Sequence, residues 1–246
     1  MKVTYDQSLF DNIPGLCVGI LAIRAADNRN TNLEAEAFRR RCCTEANLLL
    51  KMNPSMADEE IGRYRNTLTH LGEEDATPSL EVLFREYKKA LGIEEEREAG
   101  ESDDFEILAQ PKAANLDELA GSDLLPRTNP MMDIIRGGML KFHVDIHAFD
   151  MKDGKTPLVI EKKDNEWQVT FGGETACHHW YGETGIAATI TKDSENILIL
   201  ITGFAPNRKK VAAARNELAR RMKSAFDRSV EVGWIEGTTH EFESAL

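Results

Sequence analysis

The chain has no long apolar run. Its longest purely aliphatic stretch is Ile197-Leu198-Ile199-Leu200-Ile201, far short of the roughly 20 residues that a bilayer-spanning helix needs. The first residues, Met1-Lys2-Val3-Thr4-Tyr5-Asp6, lack the basic-then-apolar order of a secretory signal peptide. Cysteine is sparse as well. Cys17, Cys42, Cys43 and Cys177 show no paired metal-binding spacing, and a cytoplasmic chain with reduced thiols is the simplest expectation. Nucleotide fingerprints are missing. Phe171-Gly172-Gly173-Glu174 and Tyr181-Gly182-Glu183-Thr184-Gly185 match neither GxGxxG nor the phosphate-loop pattern. They read as tight turns between strands, or else as places where backbone or a glutamate closely approaches a ligand. No serine occupies a GxSxG elbow.

Basic residues are in deficit. Lysine and arginine number 30 against 42 acids, a net charge of −12 over 246 residues. This excludes a protein that coats nucleic acid or anionic membrane with its whole surface. It does not exclude a local basic patch, so the position of the charge matters. From Glu94 to Asp123 there are eleven acids and two bases, net −9. That stretch is poor in large apolar residues and reads as a solvated insertion, with an acidic lid as the other possibility. From Pro206 to Arg228 there are eight bases and two acids, net +6. Val211, Ala214, Leu218, Met222 and Ala225 recur there at helical spacing. The segment is therefore expected to be an amphipathic helix with a basic outer face, either merely solvated or in contact with phosphates.

What the chain does have is enough apolar material for a core: 41% of residues are hydrophobic, too many for a disordered chain. Leu16 to Ile23 reads as a buried strand. Asn32 to Leu50 reads as a helix with Phe38, Cys42, Ala46 and Leu49 on one face. A second helix is expected over Asp58 to Leu71. A third opens at Thr77-Pro78, where threonine can cap and proline fits the first turn, and stops at Gly92. Asn129-Pro130 is another capped helix start, while Gly137-Gly138 should weaken any helix through them. Beyond the glycines, Leu140, Phe142, Val144, Ile146 and Ala148 alternate with Lys141, His143, Asp145 and His147, as in a strand. Further strands are expected at Pro157 to Glu161, Trp167 to Phe171, Ile186 to Thr191, Ile197 to Thr202 and Val230 to Ile235. Helices come mainly first and strands mainly later, so the class is α+β. The helical front half is interwoven with its own strand, so residues 1–246 read as a single domain with the acidic insertion at 94–123.

Histidines are the first candidates for chemistry. His143 and His147 share a face if both lie in one strand. With adjacent His178-His179, and Glu174 or Glu183 nearby, a zinc site is conceivable, although the spacing matches no established zinc signature. Cys177 beside His178 is a possible nucleophile pair, but adjacent residues rarely orient toward each other.

From Thr128 to Asp150 the sequence reads Thr-Asn-Pro-Met-Met-Asp-Ile-Ile-Arg-Gly-Gly-Met-Leu-Lys-Phe-His-Val-Asp-Ile-His-Ala-Phe-Asp. This resembles the editing (B-three/B-four) domain of the phenylalanyl-tRNA synthetase beta subunit. The family pattern is an asparagine, apolar residues, an aspartate, a helix, and then His-Ala-Phe-Asp. Asn129, Asp133 and His147-Ala148-Phe149-Asp150 fit it without a gap. Freestanding versions of the domain are resembled from about residue 13 to 235. The segments are Pro14-Gly15-Leu16, Ile23-Arg24, Asp27-Asn28, Tyr64-Arg65, Pro78 to Arg85, Leu125 to Pro130, and Asp193-Ser194-Glu195-Asn196-Ile197.

The resemblance implies an α+β fold with a central sheet or sandwich-like core and helices around it. It also implies a helix running past the glycines and a strand beginning near Val144, which puts His143 near a helix end. In the family, the domain hydrolyses the ester between a wrongly attached amino acid and tRNA, using a histidine and a glutamate. His147 takes the first position. The glutamate falls in a Gly-Glu turn, for which Gly182-Glu183 fits best and Gly173-Glu174 second. Asn129, Asp133 and Glu174 are then substrate-binding candidates. For the tRNA backbone the candidates are Arg208, Lys209, Arg215, Arg220 and Lys223. Three features depart from the family. Arg136 stands where the synthetase has asparagine, the acidic insertion has no counterpart, and extra residues separate Glu183 from Asp193.

The expected activity is deacylation of a mischarged aminoacyl-tRNA in trans. It needs no cofactor or metal, and the chain has no aminoacylation core. The expected partners are aminoacyl-tRNA and a free amino acid, with no membrane. The rival expectation is a catalytically silent module that binds RNA or an amino acid, and a third is a metal-dependent hydrolase built on the histidines.

Overall fold

A computed structural model describes residues 1–93, 124–125, 127–177, 179–180 and 188–245. The acidic stretch 94–123 lies outside these residues. Among the described residues the chain forms six α-helices and two β-sheets, a mixed α+β architecture. The helices are α1 (Gln7–Asn12), α2 (Leu33–Met52), α3 (Asp58–Leu71), α4 (Ser79–Ala90), α5 (Pro130–Phe142) and α6 (Arg208–Phe226). The strands are β1 (Lys2–Tyr5), β2 (Cys17–Ile23), β3 (Asp145–Asp150), β4 (Leu158–Lys163), β5 (Glu166–Phe171), β6 (Glu174–Cys177), β7 (Ile197–Gly203), β8 (Val230–Glu236) and β9 (Glu241–Glu243). No helix among the described residues is long and apolar enough to cross a membrane.

The four-stranded sheet has the order β3-β7-β2-β8, all antiparallel. Its two central strands, Cys17–Ile23 and Ile197–Gly203, are buried at every position. Such strands read as continuous apolar runs because both faces are covered. The five-stranded sheet has the order β6-β5-β4-β1-β9, with β1 parallel to β4 and the other neighbours antiparallel.

Strand pairing decides which side chains share a face. Ile201 pairs with Gly19 and Ile146, and Gly19 also pairs with Trp234. A side chain at Gly19 would meet Arg215 of α6, and one at Gly203 would meet Val211. This is therefore the face that α6 covers. Alternation turns Asp145, His147 and Phe149 to the opposite face, in register with Leu200, Ile20 and Gly233. On that side Gly233 lies against Phe242 of β9, so this face turns toward the five-stranded sheet.

Several expectations change here. Helix α5 continues through Gly137 and Gly138, because the missing side chains let neighbours approach closely. Added Cβ atoms would stand 3.1 Å from Phe38 of α2 and 2.8 Å from Leu218 of α6. That close packing offsets the propensity cost of about 1 kcal/mol per glycine. The strand expected from Leu140 is therefore helix up to Phe142, and β3 begins at Asp145. Asn129 caps α5, its side-chain oxygen accepting from the Met132 amide at 3.0 Å. At α4 the expected threonine cap is absent; Pro78 precedes the helix with no side-chain cap bond. On α2, Leu49 is exposed and Leu50 takes the buried place, four residues beyond Ala46 on the helical repeat. Of the strand expected over Ile186 to Thr191, the described residues form no strand. Thr191 instead enters a turn closed by Ser194. The short segments β1, α1, β6 and β9 carry too few residues to show a period, and periodicity does not reveal them.

Candidate functional site

Several of the segments that carry the resemblance, Asp27-Asn28, the start of α5, the end of β3 and Asp193 to Asn196, meet at one end of the four-stranded sheet, whereas Gly15 and Tyr64 lie at the other. Asn28, just past β2, donates to the Thr191 carbonyl at 2.7 Å and accepts from the Met131 amide of α5 at 2.9 Å. Asp150, the last residue of β3, accepts from Ser194 Oγ at 2.8 Å. Ser194 Oγ in turn accepts from the Thr191 amide. Asn196 donates to the Lys152 carbonyl at 2.6 Å, and Arg29 pairs with Asp193 at 2.9 Å. Asn28 is 1% exposed and Ser194 1%, so these polar groups need their partners. The network locks the ends of β2, β3 and β7 to the first turn of α5.

Asp133, one turn into α5, faces Arg39 of α2 at 3.4 Å. Arg39 is fully buried and also donates to the Leu125 carbonyl at 2.8 Å. Asn129 and Asp133 thus serve the helix cap and the α2–α5 seam. Arg136, the departure from the family pattern, lines a small cleft with Leu83, Glu86, Tyr87 and Leu125.

His147 lies in mid-strand β3, on the face opposite α6. It is 6% exposed and stacks on Phe149, with ring centroids 6.4 Å apart. Its Nε2 is 3.5 Å from Oδ1 of Asp145, which is wholly buried. The start of the strand is held by Tyr64 of α3. Its hydroxyl donates to the Thr202 carbonyl at 2.6 Å and accepts from the Asp145 amide at 3.1 Å. Burial, with the charge of Asp145 second, pushes the Tyr64 phenol far above its ordinary pKa, so it stays a neutral donor. Sequence reasoning alone passes over Asp145 and Glu73. For Asp145 a signal is present, since Asp-x-His in a strand puts both side chains on one face.

His143 and His147 do not share a strand face. His143 ends α5 in a left-handed conformation, φ 53°, and packs edge-on against Phe84 at 5.5 Å. Among the described residues, no group of three or more His, Cys, Asp or Glu is placed to hold a metal ion. Glu174 is exposed at the start of β6, in the outermost strand of the five-stranded sheet. Glu183 and His178 lie outside the described residues.

Glu73, in the turn between α3 and α4, is another buried acid, at 4% exposure. It accepts from the Trp167 amide at 2.9 Å. Burial pushes its carboxyl up to about 7.

The basic helix α6 divides by its surroundings. Arg208 pairs with Glu236 at 2.5 Å and lies over the Trp234 ring. Arg215 also lies over Trp234 and donates to the Gly233 carbonyl at 3.2 Å. On the other flank, Lys210 pairs with Glu60 of α3 and Arg221 with Glu217. Lys209, Arg220 and Lys223 are exposed on the outward side, where Arg220 pairs with Glu217 of its own helix at 2.8 Å. Two of the five candidate cations are thus engaged with β8, and three face outward.

Comparison with models of known protein families gives no match, and no curated protein matches the sequence.

Proposed function

We propose that the chain is a tRNA-binding protein akin to the editing domain of the phenylalanyl-tRNA synthetase beta subunit, and that it hydrolyses a mischarged aminoacyl-tRNA ester in trans. The observation that carries this reading is the buried His147, held on a rigid strand with its imidazole 3.5 Å from Asp145. A buried histidine facing a buried carboxylate is an arrangement suited to proton transfer and uncommon in an apolar core. The order of the motif segments supports the family reading, and so does the meeting of Asn28, the start of α5, Asp150 and Ser194 in one network.

In this reading His147 positions the attacking water at the ester carbonyl. The water oxygen bonds to the carbonyl carbon, the bond to the terminal ribose oxygen breaks, and the water's proton passes to that oxygen. The products are the free amino acid and deacylated tRNA, and no cofactor takes part. Glu183 is assigned the recognition of a polar side chain on the amino acid. Lys209, Arg220 and Lys223 are assigned to the tRNA backbone, since all three are exposed on the outward side of α6.

A second reading is a binding module without chemistry. It is favoured by Asn129 and Asp133, which the family reading assigns to substrate but which here make the cap and the Arg39 pair. Incubation with a panel of misacylated tRNAs separates the two. Hydrolysis of at least one, abolished by His147→Ala, supports the deacylase. Binding of tRNA without hydrolysis of any supports the module.

A further inference from the structure

A cleft of about 220 Å³ opens where β2 begins and β8 ends. It is lined by the apolar Phe10, Ile13 and Leu16 and by the charged Arg208 and Glu236, with Gly237 beside them. Strand β8 is the sheet edge opposite β3, and His147 does not line the cleft. A solvent-exposed ion pair is ordinarily loose and contributes little. This pair is held by a third residue. Trp234 donates from Nε1 to Oε2 of Glu236 at 2.9 Å, and the Arg208 guanidinium lies over the Trp234 ring, 5.1 Å from its centroid. Arg208 Nη1 meets the same Oε2 at 2.5 Å. The bonds from Trp234 and Arg208 hold the Glu236 carboxyl below its ordinary range, so both charges are present at neutral pH. Both contacts end on one oxygen. Oε1 of Glu236, and Nε and Nη2 of Arg208, make no hydrogen bond with the described residues. A fixed cation and a fixed anion therefore stand side by side on an apolar cleft, each with bonding capacity left.

We infer that this cleft binds a free amino acid with an apolar side chain, its carboxylate on Arg208, its ammonium on Glu236 and its side chain against Phe10, Ile13 and Leu16. A zwitterion suits the pair because it offers each group its opposite charge. A lone carboxylate meets Arg208 but is repelled by Glu236, and a lone amine fares the reverse. The cleft is smaller than the roughly 300–1,000 Å³ of sites for drug-sized ligands, which fits an occupant of amino-acid size. Binding here requires no chemistry at His147, so the inference does not rest on the deacylase reading.

The test is amide NMR of the full 15N-labelled chain, titrated with L-leucine and L-phenylalanine. Two analogues of leucine serve as controls: 4-methylpentanoate, which lacks the amine, and 3-methylbutylamine, which lacks the carboxylate. At least one amino acid is expected to give saturable shifts at the amides of Gly15, Gly237 and Thr238, and each analogue to bind about tenfold more weakly or worse than leucine. Arg208→Gln and Glu236→Gln are each expected to weaken amino-acid binding about tenfold or more. No saturable shift at these amides with either amino acid up to about 20 mM overturns the inference. So does an analogue that binds as well as leucine, or binding unchanged in both variants. If neither variant folds, the ligand series on the wild-type protein decides. No tRNA enters this titration, so its outcome and that of the deacylation assay are independent.

Discussion

Glu73 shows what burial does to a single carboxyl. Its ordinary value of 4.5 rises to about 7, chiefly through desolvation and in spite of the bond from Trp167. The fold therefore favours the neutral acid. The stability this gives is fully present below about 4.5 and is lost as pH rises through 7. Glu73→Gln keeps an acceptor for the Trp167 amide but cannot ionise. In urea denaturation the variant is expected to gain on wild type as pH rises over that window, by roughly 3 kcal/mol at most. A difference that stays flat with pH would contradict this assignment. Asn129 is a residue of the opposite kind, placed by local chemistry that the sequence shows openly. Asn129→Ala removes the cap on α5 and is expected to cost about 1 kcal/mol in the same measurement. Asn-Pro before an apolar helix is readable because capping is local. The fate of Asp133 is not, because its partner Arg39 is remote in sequence and meets it only when α2 packs on α5.

Among the elements, the longer helices and the two central strands are legible because their period or continuous apolarity is strong. Alternation misleads at helix α5. Its apolar positions from Leu140 mimic a strand, and the glycines argue against helix until their neighbours are known. The same close-packing logic governs β7 and α6. A Cβ at Gly203 would intrude on Val211 and stand 2.6 Å from Asn207 Oδ1. Gly203→Ala is therefore expected to destabilise by about 1–3 kcal/mol, read as a lower urea midpoint with unchanged slope. Helix α6 is legible as basic and amphipathic, but not which of its cations are engaged within the fold. That depends on Trp234, Glu236 and Glu60, which come from other elements. The triple reversal Lys209→Glu, Arg220→Glu and Lys223→Glu is expected to weaken tRNA binding and flatten its dependence on salt. Each phosphate left without its cation lowers the slope by about 0.9 or somewhat less. Arg215→Glu is expected to act first on stability, since Arg215 covers Trp234 and bonds to Gly233. An unchanged salt slope in the triple variant would show that tRNA does not bind this face.

For the molecule as a whole, the charge of −12 gives a misleading picture of its surface. The segment Glu94 to Asp123 carries −9, leaving about −3 for the rest, with +6 gathered between Pro206 and Arg228. An RNA partner is compatible with such a chain only at a patch, and α6 presents one. The α+β class is readable from the order of elements. The division into two sheets is not, since nothing local says that β1 pairs with β4 and β9 rather than with β2. His147 is legible through its motif, whereas its pairing with Asp145 requires the strand register. The central claim is that His147 serves hydrolysis of an aminoacyl-tRNA ester, and the most direct measurement is release of amino acid from a panel of misacylated tRNAs by wild type and His147→Ala. Wild type is expected to release amino acid from at least one, and the variant to lose about a hundredfold or more of that rate. No release from any of them, or equal release by the two proteins, would contradict it.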